Sequence, residues 1–219
     1  MSTTSKWLPQ DHVSESLKKV FIENAKREMT PARQMLYVFH IVEALKYQRR
    51  TGWVDRGIED CESISDHLFR ITFMSQFLKT PGLYISKCFS IALAHDVAEA
   101  IVGDITPKDE KIDKVEKNYR EKITIDYLTE LIKPYNEKAA LKFHDDWNAY
   151  EYQTCIEAKY VKDLDKYELL VQAIEYEKRH KGVDLEEFWD VLEIIKTDEV
   201  KEWARELIKE REDNKNEMK

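Results

Sequence analysis

Apolar residues recur along this chain at spacings of three and four and rarely alternate with polar ones, so the pattern predicts helices almost throughout. Leu17, Val20, Phe21 and Ala25 form a stripe on a first helix over Ser14–Glu28, which Thr30-Pro31 stops. Pro31 suits the first turn of a second helix, whose stripe of Met35, Leu36, Phe39, Val42 and Leu45 runs to Tyr47. Gln48–Ser65 reads as a loop holding Arg49, Arg50, Gly52, Trp53 and Arg56. A third helix, capped by Ser65 or Asp66, runs to Phe77 with His67 in its first turn, and Thr80-Pro81-Gly82 follows it. The next helix, Ser86–Val102, is almost wholly apolar from Phe89 to Ala94 and is predicted to be central, with Gly103 ending it. A Lys/Glu-rich amphipathic helix covers Lys111–Ile132, and Lys133-Pro134 breaks it. Further helices are predicted over Glu137–Lys178, interrupted near Trp147–Glu151, then over Leu185–Ile195 and Asp198–Lys209. The charged end, Glu210–Lys219, is expected to fray.

Composition sharpens this into an all-α class, since only 5 Gly and 5 Pro occur in 219 residues. That length suits one hydrophobic core. The expected division is an N-terminal helical extension over 1–30 packed on the core, a main domain over 31–197, and a C-terminal helix with its tail over 198–219. The net charge of −8 comes from interspersed Lys and Glu, which argues for solvated helix faces and against a nucleic-acid polymer as partner. Cys61, Cys88 and Cys155 lie far apart, which disfavours a disulfide framework or a zinc ribbon. The N-terminus lacks the apolar run of a secretory signal and no window suits a membrane span, so the expectation is a cytoplasmic chain, or a nuclear one, with no membrane partner.

The chemistry concentrates in Ala94-His95-Asp96-Val97-Ala98-Glu99 and in Gly103-Asp104. An imidazole and carboxylates within an apolar segment cost several kcal/mol to bury, on the order of known penalties, unless hydrogen-bonded or bound to a cation. Partners are available in His67 and in Asp163 and Asp165 of Lys162-Asp163-Leu164-Asp165-Lys166. Glu99, three residues from Asp96 and four from His95, shares their helical face and is placed to take a proton from water. Two imidazoles with one or two carboxylates form a mixed nitrogen and oxygen set that suits Mn, Co, Fe or Zn better than Ca.

The order His67, His95-Asp96, Asp165 matches the metal pattern of the HD-domain phosphohydrolase superfamily. With Arg50-Thr51-Gly52-Trp53, Glu62-Ser63-Ile64-Ser65-Asp66-His67, Ala94 to Ile105 and Lys162 to Tyr167, the chain closely resembles the HD-domain 5'-deoxynucleotidases over Pro31–Ile195. The resemblance implies an all-α HD-domain helical bundle, commonly a homodimer, that removes the 5'-phosphate from deoxynucleoside monophosphates. It implies a divalent metal cofactor, with Mn, Co or Mg ahead of Zn or Fe, held by His67, His95, Asp96 and Asp165. Glu99 would orient or deprotonate the attacking water, and Asp104 would contact the sugar or support the site. Arg50 would clamp the phosphate, with Arg49 and Arg56 as rivals, and Trp53 would form a wall against the sugar.

Other readings stay open at this level. His12, His40 and His180 read as ordinary core or surface residues, and the second His-Asp pair, His144-Asp145, as a solvated face. Asp163 reads as a cap or ion-pair partner. Tyr150 and Trp147 read as core, dimer contact or surface. A related phosphohydrolase acting on deoxynucleoside triphosphates, cyclic nucleotides or alarmones is the alternative activity. A non-catalytic helical adaptor with a structural metal is the contrasting class.

Overall fold

A computed structural model describes residues 6–217, so Met1–Ser5, the start of the segment read for a targeting signal, and the last two residues of the charged tail lie outside the described residues. The chain forms α1 (Pro9–His12), α2 (Glu15–Lys18) running into a π-helical turn (Lys19–Glu23), α3 (Pro31–Val42) with a 3-10 turn (Glu43–Lys46), and α4 (Thr51–Val54). These lead to α5 (Ile64–Ser75), α6 (Ile85–Ala94), α7 (Glu99–Val102), α8 (Lys114–Tyr152) and α9 (Ile156–Arg179). A 3-10 segment (Glu186–Ile194) and α10 (Asp198–Glu217) complete the fold. Among the described residues the only extended pairing is the isolated bridge between Arg49 and Ser63.

Helix α6 lies at the centre, packed against α5, α8 and α9. Its Cys88, Ile91 and Ala92 join Ile71 of α5 and Val161, Leu164 and Leu170 of α9 in one solvent-free cluster. A second cluster gathers Tyr37, Val38, Ile41 and Leu45 with Ile64, Leu68 and Leu128, and Val13 and Phe21 of the N-terminal segment pack into it.

The expected stripe on α3 is rotated: Leu36 and Phe39 are exposed, whereas Tyr37, Val38 and Ile41 are buried. This helix is apolar almost all round, so two periodic faces compete and packing against α8 selects one. The first helix is also shorter than the periodicity suggests, and its π turn leaves Val20 exposed while Phe21 is buried.

Ser63, rather than Ser65 or Asp66, caps α5. Its hydroxyl accepts from the Asp66 N–H and the Asp66 carboxylate accepts from the Ser63 N–H, a reciprocal capping box. The predicted helix over Ser86–Val102 divides after Ala94. In the break the N–H groups of Val97, Glu99 and Ala100 donate to carbonyls three residues back, tightening the chain into successive turns before α7. Gly103, at φ 84°, ends α7 in a conformation that favours glycine.

Pro134 lies just before the break in α8, where Asn136 leaves helical geometry and its side chain caps the second half by accepting from the Ala139 N–H. The interruption expected at Trp147–Glu151 falls instead at Gln153, at φ 52°, because Trp147 and Tyr150 are buried and keep that turn helical. The tail expected to fray continues α10 to Glu217. Val200, Ala204 and Leu207 share the core of α6 and α9, and the buried Arg211 forks onto Glu177 and Glu186 across the face of Trp189.

Candidate metal centre

His67 enters the site from the first turn of α5, whose capping box fixes where the helix starts. The ring is fully buried. Its Nδ1 lies 2.5 Å from Glu168 Oε2, and Glu168 is held in turn by the Arg70 guanidinium, whose Nε donates at 2.7 Å. Burial would raise the Glu168 carboxyl, but His67 and Arg70 outweigh it and hold the group below the usual range. An ionised Glu168 accepts the Nδ1–H, which points Nε2 of His67 the other way.

His95 caps the C-terminus of α6, where the helix breaks. Its Nδ1 lies 2.8 Å from the Ala92 carbonyl oxygen, an acceptor only, so Nδ1 carries the proton and Nε2 presents a lone pair. The Nε2 atoms of both His67 and His95 are buried without a hydrogen-bond partner. Carboxylates close the group: Asp96 Oδ2 lies 3.3 Å from His95 Nε2 and 3.8 Å from His67 Nε2, and Asp165 Oδ1 lies 3.3 Å from His67 Nε2. The second oxygen of Asp165 is engaged, accepting from the Tyr150 hydroxyl at 2.6 Å and Lys166 Nζ at 2.9 Å.

Two orphaned imidazole nitrogens and two carboxylate oxygens therefore converge. The donor atoms of His67, His95 and Asp96 lie within 4.8 Å of one another, the span of donors around one cation bound at about 2.0–2.2 Å. The residues fit a divalent ion, and Glu168 and Ala92 fix the imidazoles from behind as metal-ligating histidines require. Burial alone would raise Asp96, but His95, Arg50 and His67 hold its carboxyl well below the usual range. Burial and Arg50 push the His67 imidazole down, but Glu168 and Asp165 dominate and raise it to about 9 in the metal-free protein.

Arg50 precedes α4 and reaches the centre, its Nη1 lying 3.4 Å from Asp96 Oδ2. Asp104 locks that turn: its carboxylate accepts from the Thr51 N–H at 2.7 Å and its carbonyl from the Thr51 hydroxyl at 2.7 Å. The other arginines turn elsewhere. Arg49 donates to the Cys61 carbonyl, and Arg56 pairs with Glu187. Glu99, the first residue of α7, is buried with Oε2 unpartnered. Burial, then Asp96 and Asp104, raise its carboxyl well above the usual range.

Trp53 is placed differently from expectation. The loop around it contains α4, and its ring is 1% exposed, packed on Tyr176 and Phe188 with the indole N–H donated to Glu62. It offers a sugar no open face, because the small cluster around Ile58, Cys61 and Leu185 closes over it. Asp163 accepts from the N–H groups of Lys196 and Thr197 at the approach to α10. His144 bonds Asp126 and Asn148 on α8, outside the centre. Sequence reasoning missed Glu168, Arg70 and Tyr150. Glu168 had a legible signal, standing three residues after Asp165 on the same helical face.

Comparison with known proteins places this chain in a family. The HD domain family pattern matches residues 42–204. The chain is 46% identical over 211 residues to the 5'-deoxynucleotidase YBR242W of Saccharomyces cerevisiae, covering 95% of this chain and 86% of that protein. It is 41% identical over 160 residues to the human 5'-deoxynucleotidase HDDC2, covering 73% and 76%. The solved structure of the HD domain-containing protein YGK1, whose sequence is that of a Saccharomyces cerevisiae 5'-deoxynucleotidase, superposes with a TM-score of 0.72 at 34% identity, covering 94% of this chain and 97% of that one.

Proposed function

This chain belongs to the HD domain family, and we propose that it is a divalent-metal 5'-deoxynucleotidase, a phosphoric monoester hydrolase converting deoxynucleoside 5'-monophosphates to deoxynucleosides and phosphate. The observation that carries the reading is the pair of buried, partnerless Nε2 atoms of His67 and His95 facing Asp96 and Asp165. These four residues hold the ion, with Mn, Co or Mg ahead of Zn or Fe. When bound, a divalent ion supplies Lewis acidity toward a phosphoryl oxygen and a lowered pKa for water.

The chain's own groups divide the remaining work. Arg50 offers a fork of donors to the phosphate oxygens, which replace its contact with Asp96. Glu99 takes a proton from the attacking water at its unpartnered Oε2, and the raised affinity of this buried carboxyl for a proton suits that task. As the bond between phosphorus and the 5'-oxygen breaks, the leaving deoxynucleoside takes up a proton. Asp104 supports the site by holding the Thr51 turn that presents Arg50. The proposed working form is a homodimer. No described helix is long and apolar enough to cross a membrane.

The test is phosphate release from dAMP, dGMP, dCMP, dTMP and AMP by EDTA-stripped protein with Mn, Co, Mg or Zn added back. Metal-restored release that favours the deoxy substrates and disappears in Asp96→Ala supports the reading. Metal-binding protein that releases phosphate from none of them overturns it and directs attention to triphosphates and cyclic nucleotides.

A further inference from the structure

Asp104 and Ile105 stand in the segment that links α7 to α8, and among the described residues neither makes a backbone-to-backbone hydrogen bond. Side chains hold them instead. On one side lies Thr51 of α4: its hydroxyl donates to the Asp104 carbonyl and its N–H to the Asp104 carboxylate, both at 2.7 Å. On the other side lies Lys117 of α8, whose Nζ donates to the Ile105 carbonyl at 3.0 Å. Ile105 is itself buried, so its carbonyl needs a donor from within the protein. Among the described residues Lys117 is that donor.

Lys117 is held in place for this contact. It stands in the opening turns of α8, whose start is fixed by Asp113, the carboxylate accepting from the Glu116 N–H at 2.8 Å. One turn further on, Glu121 lies 3.4 Å from the same Nζ. Burial would lower the Lys117 amine, but Glu121, Glu99, Asp96 and Asp104 outweigh it and keep the group charged. An ammonium has three donors and no acceptor; one goes to the carbonyl and another faces the Glu121 carboxylate. It makes no hydrogen bond to His67, His95, Asp96 or Asp165.

We infer that Lys117 is a positioning residue for phosphate binding: by holding Ile105 against α8 it fixes Asp104, and through Asp104 the Thr51 turn that presents Arg50. The inference rests on the proposed phosphatase reading, in which Arg50 clamps the phosphate. The path from Lys117 through Ile105, Asp104 and Thr51 to Arg50 is continuous in hydrogen bonds and backbone. Helix α4 is a single turn, and a helix that short has little stability of its own. Its bonds to Asp104 are therefore a brace, and that brace is only as firm as the segment carrying Asp104. Misplacing a binding group by about 1 Å can cost up to about 100-fold in rate.

Lys117→Met keeps the aliphatic stem and removes the donor. In the full-length protein, with helicity unchanged by circular dichroism, it is expected to lower kcat/KM for dAMP by roughly 10-fold. The same substitution in an Arg50→Ala background is expected to cost almost nothing more, because two residues acting through one contact are not additive. Mn affinity, read by chelator competition, is expected to stay at the wild-type value. Hydrogen exchange tests the brace without reference to activity: the Thr51 amide, bonded to the Asp104 carboxylate, should exchange about 10-fold faster in Lys117→Met, while Val161 and Leu164 of α9 keep their rates. Equal losses with and without Arg50, an unchanged Thr51 rate, or a speed-up that includes α9 overturns the inference. A wild-type protein that releases phosphate from no monophosphate overturns the phosphatase reading, and the Thr51 rate then still decides whether Lys117 braces the Arg50 turn.

Discussion

Glu168 Oε2 lies 2.5 Å from Nδ1 of His67, and both side chains are sealed from solvent. This bond, made across 101 residues of sequence, decides which imidazole nitrogen is free for a cation. Glu168→Gln keeps the size but removes the charge that holds the Nδ1 proton. It should lower divalent-metal affinity by about 10- to 100-fold, the usual effect of losing such a partner. Competition with a chromophoric chelator reads this directly, and unchanged affinity would show that His67 is oriented by other groups.

Metal binding should stabilise the fold. An ion at about 100 times its Kd contributes about 2.7 kcal/mol, which for a chain of this size corresponds to a Tm rise of roughly 5–10 °C. Calorimetry with Mn or Co against EDTA should show the rise in the wild type and none in Asp96→Ala.

Arg50 and Asp104 should behave as one unit. Arg50→Ala removes a charged hydrogen-bond donor of about 1.5–3 kcal/mol, so kcat/KM for dAMP should fall by roughly 10- to 100-fold. Arg50→Lys should recover only part of that, because an ammonium lacks the planar fork. Asp104→Ala frees the Thr51 turn and should shift kcat/KM the same way.

Glu121 of α8 carries a pH signature. Burial raises its carboxyl to about 7, with Asp96 and Glu151 adding to the shift and Lys117, 3.4 Å away, opposing it. A carboxyl whose pKa is higher folded than unfolded contributes stability that is full below the unfolded value of about 4.5 and is lost as pH rises through about 7. The metal-free protein should therefore lose up to about 3 kcal/mol of stability between pH 4.5 and 8 from this group. Glu121→Gln should flatten that part of a urea-denaturation profile. An unchanged slope would mean the side chain is better solvated than its 12% exposure suggests.

Trp53 should register as a packing residue. Trp53→Ala removes a ring enclosed by Tyr176 and Phe188 and should cost about 3–5 kcal/mol in denaturant unfolding. A cost below about 1 kcal/mol would contradict its burial.

Some of this protein was determined by sequence alone. Scarce Gly and Pro with apolar spacings of three and four dictate an all-α chain, because helix formation depends on residues within a turn or two of one another. The identities and order of His67, His95, Asp96 and Asp165 name a donor set, because ligand chemistry belongs to the side chain itself. Packing decided the rest. Periodicity on α3 could not choose between two apolar faces, and the turn at His95–Ala98 lies inside a stretch whose local signals all favour helix. The burial of Trp53, the Tyr150 bond to Asp165 and the Glu168 clamp on His67 depend on helices that meet only after the chain has folded. A residue's distant neighbours, and therefore its exposure and ionisation, are set when those helices dock.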